Sequence, residues 1–250
     1  MRLLVKLVAA KDFNYDLKYF NKLQGFIYSL LKDSPYSTLH DKRGYKFFCF
    51  SNIFPIGDAK AGDERNFIIS SPDNLLIKFL KNRIKELSSN NELINVGEMS
   101  FEVKGTSLIK IKIEKNCRLI SATPIIIRIP EKNYEKYGIP KEFRKKRYVY
   151  WRPCYNFEAF VKQLEENLIK KYNEFYGTNF EIERIFEMFK FIKPVVSHVI
   201  IKGKEEKMVG SIWEFWFSYL AESRKKILKF GIDCGFGERN SLGFGFINIK

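Results

Sequence analysis

The chain has 250 residues, 45% of them apolar, and carries 44 Lys and Arg against 29 Asp and Glu, a net charge of +15. That length suits two domains with separate cores better than one small domain, and the surplus of positive charge calls for a polyanionic partner. A spanning or anchoring membrane protein is excluded, because no apolar run reaches the roughly 18 residues a transmembrane helix needs and no amphipathic anchor is present.

The first ten residues, "MRLLVKLVAA", alternate Leu3, Val5 and Leu7 with Arg2 and Lys6 as a strand does. They lack the cleavage site of a secretory signal, so a cytoplasmic location is expected. From Asn14 as N-cap, Leu17, Phe20, Gln24, Ile27 and Leu31 recur at helical spacing, with Leu23 and Leu30 beside that stripe. A basic linker at 36–45 leads to the aromatic, strand-like "KFFCFSNIFP", and "NFIIS" at 66–70 reads as a further strand. The next segment has a helix start in Ser71 as N-cap with Pro72 and Asp73 in the first turn, and a buried stripe of Leu76, Leu80, Ile84 and Leu87. Strands are expected over 93–105, 107–115 and 118–130.

After the charged stretch 131–153, Asn156 caps a long helix with Phe157, Val161, Leu164, Leu168, Tyr172 and Phe175 on one face and Gly177 at its end. Strands at 182–193, 195–203 and 208–217, a fourth helix over 219–232 and a last strand, "GFGFINIK", complete the pattern. Each half thus reads as strand, helix, strands, helix, strands. That order predicts an α+β fold of two tandem ferredoxin-like (RRM-like, βαββαβ) domains, 1–123 and 124–250, the second carrying a C-terminal glycine-rich loop.

Cys49, Cys117, Cys154 and Cys234 form no C-x-x-C pair, which argues against a zinc knuckle, a redox dithiol or a disulfide scaffold. Cys49 and Cys234 are expected in the core. The two histidines, His40 and His198, have no carboxylate cluster beside them, and His198 reads as a half-buried strand residue. Nothing in the sequence demands a metal or a cofactor.

The glycine loop "GFGERNSLGFGFI" fits neither common nucleotide motif. No Gly-Lys-Ser/Thr occurs, Asn240 occupies the third glycine position of a dinucleotide fingerprint, and a strand rather than a helix follows. Two readings stand: a helix stop followed by a turn at Asn240 and Ser241, or a cradle of exposed backbone N–H groups beside Arg239 that receives phosphate. Four glycines (Gly235, Gly237, Gly243 and Gly245) exceed what a turn requires. The stretch "KEFRKKRYVYWRP" interleaves Lys141, Arg144, Lys145, Lys146, Arg147 and Arg152 with Tyr148, Tyr150 and Trp151. Such a mixture suits RNA, and equally a solvated linker followed by a strand with its aromatics in the core. Lys42, Arg43 and Lys60 add further basic candidates.

A helix, then this glycine-rich loop, then a final strand resembles the C-terminal signature of the repeat-associated (RAMP) superfamily of CRISPR proteins, specifically its repeat-processing endoribonucleases. The resemblance implies tandem ferredoxin-like domains and an RNA-binding role for Gly235, Gly237, Arg239, Asn240, Ser241, Gly243 and Gly245, with Lys42, Arg43, Lys145, Lys146 and Arg147 as further RNA contacts. It also implies a catalytic histidine in the linker after the first helix and a lysine six residues on, which "LHDKRGYKFFCFS" supplies as His40 and Lys46. Without the resemblance, His40 would read as a solvated loop histidine. A catalytic tyrosine would come from the first helix as Tyr28, with Tyr36 the nearer position in sequence.

The implied activity is metal-independent cleavage of CRISPR repeat RNA within precursor transcripts. The RNA 2′-hydroxyl attacks the adjacent phosphate, leaving a 2′,3′-cyclic phosphate and a 5′-hydroxyl. A histidine exchanges protons near neutrality and a lysine neutralises the phosphorane. The family also implies a homodimer and hand-over of the guide RNA to a CRISPR effector complex. A non-catalytic RNA-binding subunit of such a complex is the alternative, separated from the nuclease by tight binding without cutting.

Overall fold

The computed structural model describes residues 1–15, 19–144, 147–201 and 203–250. Two compact units divide it: unit 1 comprises Met1–Ile111 with Ser241–Gly243, and unit 2 comprises Lys112–Asn240 with Phe244–Lys250. No helix among the described residues is long and apolar enough to cross a membrane.

Unit 1 runs β1 (Arg2–Ala9), α1 (Tyr19–Leu30), β2 (Cys49–Phe50), β3 (Glu64–Ser70), α2 (Asn74–Ser89), β4 (Ile94–Val96) and β5 (Met99–Ile109). Its antiparallel sheet has the order β2-β3-β1-β5-β4, with Leu3 opposite Ile69 on one side and Leu108 on the other. Taking β5 as the fourth strand, this is the fourth-first-third-second order of a ferredoxin-like unit, and β4 is an added hairpin partner. The alternation of β1 buries Leu3, Val5 and Leu7 in one core with Leu23 and Ile27 of α1 and Leu76, Leu80 and Ile84 of α2. Burying each such side chain contributes about 1.5–3 kcal/mol before entropy is set against it.

The cap of α2 is Asp73, whose carboxylate accepts from the N–H groups of Leu75 (2.8 Å) and Leu76 (3.1 Å). Ser71, expected as the cap, instead donates its hydroxyl to the Phe47 carbonyl at 2.6 Å and accepts from the Asp73 N–H at 3.0 Å. A carboxylate against the positive helix end wins the position.

Unit 2 runs β6 (Cys117–Ser121), β7 (Arg128–Pro130), β8 (Tyr148–Tyr150), α3 (Phe157–Tyr176), β9 (Met188–Ile201), β10 (Lys204–Phe217), α4 (Glu222–Cys234) and β11 (Ile247–Ile249). Its sheet order, β11-β6-β10-β9, repeats the ferredoxin-like arrangement, with β7 and β8 as a separate pair. Asn156 caps α3 by accepting from the Glu158 N–H at 2.8 Å, and Gly177 ends the helix at φ +63°. The core centres on Trp213, stacked on Phe160 with ring centroids 4.0 Å apart and flanked by Trp151 at 5.4 Å. Cys49 and Cys234 are both buried.

Several elements differ from their sequence expectation. The units divide at Ile111/Lys112 rather than at 123/124, because β6 pairs with β10 and β11 of the second sheet. Tyr15 is not helical, and the described part of α1, Tyr19–Leu30, buries Tyr19, Leu23, Ile27 and Leu30; Leu17 lies outside the described residues. In α2 Ile77 is buried where Leu87 was expected, and Phe157 of α3 is 40% exposed. The strand expected over 107–115 stops at Ile109. The strands expected over 182–193 and 195–203 are one strand, β9, which tolerates Pro194 because it lies at the sheet edge. His198 is exposed on that strand, with Nδ1 2.9 Å from the Glu205 carboxylate.

Candidate active site

Three elements of unit 1 converge on one spot. Tyr28 stands in the last turn of α1, His40 closes a short 3-10 turn over Ser37–Leu39, and Lys46 precedes β2. The Lys46 ammonium donates to the Tyr28 hydroxyl at 3.0 Å and to the His40 carbonyl at 2.5 Å. The imidazole of His40 meets the Tyr28 ring edge-on, with centroids 5.0 Å apart, and Phe48 backs the same ring from the core at 5.9 Å. The His40 side chain is 67% exposed, so a substrate can reach it. Its Nδ1 lies 2.7 Å from an Asp41 carboxylate oxygen. An ionised carboxylate only accepts, so Nδ1 carries the proton in that bond and Nε2 is left for other partners.

The Tyr28 hydroxyl takes further hydrogen bonds from the side chains of Ser241 and Gln24, and the Gln24 amide in turn donates to the Ser241 carbonyl at 2.6 Å. Those donors favour the phenolate. Burial outweighs them and pushes the phenol up to about 12, so Tyr28 keeps its proton. Burial likewise pulls the Lys46 ammonium below the ordinary lysine value, against the pull of Asp41 the other way. Tyr36, the nearer alternative in sequence, faces elsewhere: its ring lies 5.8 Å from Phe79 and its hydroxyl interacts with Asp73. The resemblance implies an RNA contact for Ser241; its place beside Tyr28 has no local signal in the sequence, because the two are brought together only by the fold. Gly243 packs closely too, against other rings: a Cβ there would meet the Phe50 ring at 2.5 Å and the Phe20 ring at 3.0 Å.

In unit 2 the glycine loop is built differently from an open cradle of N–H groups. Gly235, Gly237 and Gly245 are buried, all with positive φ. A Cβ on Gly237 would lie 2.5 Å from the Ile126 carbonyl oxygen, and one on Gly245 would collide with the Phe236 carbonyl. The N–H groups of Phe236, Glu238 and Gly245 are spent on the carbonyls of Gly245, Ile126 and Pro124. Lys171 of α3, 2% exposed, donates to the carbonyls of Gly235 (2.6 Å) and Gly237 (3.0 Å) and to the Asn240 amide oxygen (3.0 Å). The Asn240 amide nitrogen then joins the two arms by donating to Phe236 O (3.0 Å) and Phe244 O (2.9 Å). The glycines therefore serve close internal packing. Arg239, at φ +60°, is half-buried, and its Nε finds no hydrogen-bond partner among the described residues.

The basic aromatic stretch divides between the two readings open to it. Trp151 is a core residue, 2% exposed, with its indole N–H donating to the Asn156 carbonyl at 3.0 Å. Tyr148 and Tyr150 are half-buried on β8, and the Arg128 guanidinium, ion-paired with Glu238, lies 4.6 Å from the Tyr148 ring centre. Arg147 and Arg152 are exposed, whereas Arg144 donates to the Ile139 carbonyl. Lys145 and Lys146 lie outside the described residues. Lys42 and Arg43 are exposed near His40 in sequence, with Lys42 over the Phe47 ring at 4.9 Å. Lys60 lines a separate cavity with Asp12, Asp58 and Asp63.

The chain is built of two ferredoxin-like units, the second with a buried glycine-rich loop before its last strand, a fold shared with a solved RAMP protein. Residues 109–249 match the family described as "CRISPR associated protein Cas6, C-terminal". The chain belongs to the Cas6 family. It is 32% identical to the "CRISPR-associated endoribonuclease Cas6 2" of Methanocaldococcus jannaschii, covering 99% of each chain. It is also 32% identical to the "CRISPR-associated endoribonuclease Cas6" of Haloferax mediterranei, covering 100% of this chain and 93% of that one. Among solved structures, "An RAMP protein binding different RNA substrates" superposes with a TM-score of 0.72 at 21% identity, covering 100% of this chain and 99% of that one.

Proposed function

We propose that this protein is an endoribonuclease that cuts CRISPR repeat RNA in precursor transcripts without a metal ion. The observation that carries the reading is the convergence in unit 1 of the His40 imidazole, packed edge-on against the Tyr28 ring, with a Lys46 ammonium that hydrogen-bonds both the Tyr28 hydroxyl and the His40 backbone carbonyl. Family membership supports the substrate class.

In the proposed reaction, Nε2 of His40 removes the proton from the 2′-hydroxyl of the nucleotide at the cleavage position, while the Asp41 carboxylate holds Nδ1–H. The 2′-oxygen attacks the adjacent phosphorus, and Lys46 neutralises the charge that grows on the non-bridging oxygens. The Tyr28 hydroxyl is surrounded by donors at Lys46, Gln24 and Ser241, so its own hydrogen is free to point to substrate. It protonates the departing 5′-oxygen. The products are a 2′,3′-cyclic phosphate and a 5′-hydroxyl.

Purified protein incubated with repeat RNAs in excess EDTA tests the reading. A single defined cut with a cyclic phosphate end is expected, and His40→Ala should slow it by roughly 100- to 10,000-fold, the usual range for losing a general base, with RNA affinity retained. Cleavage by His40→Ala at the wild-type rate removes His40 from the reaction. Tight binding with no cut by the wild type across several repeats selects the non-catalytic effector subunit instead.

A further inference from the structure

Lys171 is an ordinary-looking lysine in an amphipathic helix, yet it is buried, and its ammonium meets acceptors from both the first arm and the centre of the glycine loop. A buried charge is costly unless every proton finds a partner. Here the carbonyls of Gly235 and Gly237 and the Asn240 amide oxygen are among the partners of the ammonium. A scaffold role for α3 alone needs no charge, since an apolar residue would fill that position more cheaply. The acceptors identify what is held. Gly235 and Gly237 form one arm, and Asn240, locked by Lys171 through its oxygen, uses its nitrogen to join that arm to Phe244. Between the fixed carbonyl of Gly237 and the fixed side chain of Asn240 sits Arg239, a non-glycine residue in the left-handed region whose Nε is unpartnered among the described residues. Such a conformation persists only where its surroundings over-determine it, and Lys171 with Asn240 supplies that determination.

We propose that Lys171 is a positioning residue for RNA recognition: its ammonium sets the glycine loop in the one conformation that presents Arg239 to a phosphate. The inference rests on the RNA-processing reading above. Lys171 touches no RNA itself; it acts through the Gly235 and Gly237 carbonyls and the Asn240 amide.

The test compares the full-length wild type with Lys171→Met, Lys171→Arg and Leu164→Ala. The last opens a cavity in the same helix and lowers stability, while Leu164 makes none of the hydrogen bonds that hold the loop. Affinity for a fluorescein-labelled CRISPR repeat RNA and amide exchange across 235–245 are measured for each. Lys171→Met should weaken binding by about tenfold, the change that follows a loss of about 1.4 kcal/mol, and should speed exchange in that segment. Lys171→Arg should recover part of both, and Leu164→Ala should change neither by as much despite a lower Tm. Unchanged affinity in folded Lys171→Met overturns the proposal, as does an equal loss in Leu164→Ala. Should Lys171→Met fail to fold, Asn240→Ala removes one acceptor and both arm-joining bonds, and unchanged RNA affinity there overturns it equally. A wild type that binds no repeat RNA refutes the parent reading instead; amide exchange then decides alone whether Lys171 holds the loop, and unchanged exchange sinks that too.

Discussion

Lys46 shows how little space separates an unremarkable lysine from a chemically tuned one. Partial burial lowers its proton affinity, so in the proposed reaction the charge it would place on the phosphorane is lost as pH rises through a value below that of an ordinary lysine. Cleavage should therefore fall on the alkaline side at that pH, and Lys46→Arg, charged throughout the range, should move the fall upward in a pH–rate profile. Tyr28 behaves in the opposite sense. Its phenol is raised to about 12 from about 10 when unfolded, so the folded protein binds the extra proton, and stability is present below pH 10 and lost as pH climbs towards 12. Urea titrations over that window should show a shallower loss in Tyr28→Phe than in the wild type. Lys46 was readable as a candidate from its spacing after His40, whereas Tyr28 stood beside Tyr36 as an open choice, and it is the fold that brings Tyr28 against Lys46 and turns Tyr36 towards Phe79. Lys171 was not readable as a candidate. A lysine between Leu168 and Tyr172 looks like a solvated helix position, and only the carbonyls that fold over it make it internal.

At the scale of elements, the glycine loop carries the clearest energetic contrast. Gly177 ends α3 at φ +63° with open space where a Cβ would go, so Gly177→Ala should cost about 1 kcal/mol for the left-handed backbone alone. Gly245 has a similar φ, yet its Cβ would strike the Phe236 carbonyl and the Asn240 amide. Gly245→Ala should cost roughly 3 kcal/mol or more, by adding overpacking to strain, and thermal unfolding of the two variants should separate them clearly. The presence of the loop and its four-glycine spacing were readable from the sequence. Which backbone groups turn inward was not, because that depends on Lys171 and Ile126, residues distant in sequence. Element boundaries shifted for comparable reasons. Asp73 displaced Ser71 as a cap once Ser71 had a partner at Phe47, and Pro194 failed to interrupt β9 because one edge of that strand is unpaired.

For the molecule as a whole, the net charge of +15 makes RNA affinity an ionic-strength measurement. Each phosphate neutralised on a single strand adds roughly 0.7 to the slope of log affinity against log salt. Binding should weaken by at least about tenfold between roughly 50 and 200 mM salt, and a flat salt response would show that the surplus charge does not engage RNA. The tandem ferredoxin-like plan was visible in the order of periodic segments, since a helix-strand rhythm survives errors of a few residues at each end. The domain limit was less visible: the alternating stretch 107–115 reads as one more strand, and nothing in it announces that β6 pairs with β10 and β11.

The three residues Ser241–Gly243 belong with unit 1 although every strand of that unit's sheet is complete by Ile109. On the ribosome, Tyr28, His40 and Lys46 emerge early, whereas the hydroxyl of Ser241 that completes the surroundings of Tyr28 emerges only after the helices of unit 2. In a nascent or prematurely terminated chain Tyr28, His40 and Lys46 would thus be present without the Ser241 hydroxyl beside Tyr28, so the site of the proposed reaction would be finished only once the glycine loop had been made.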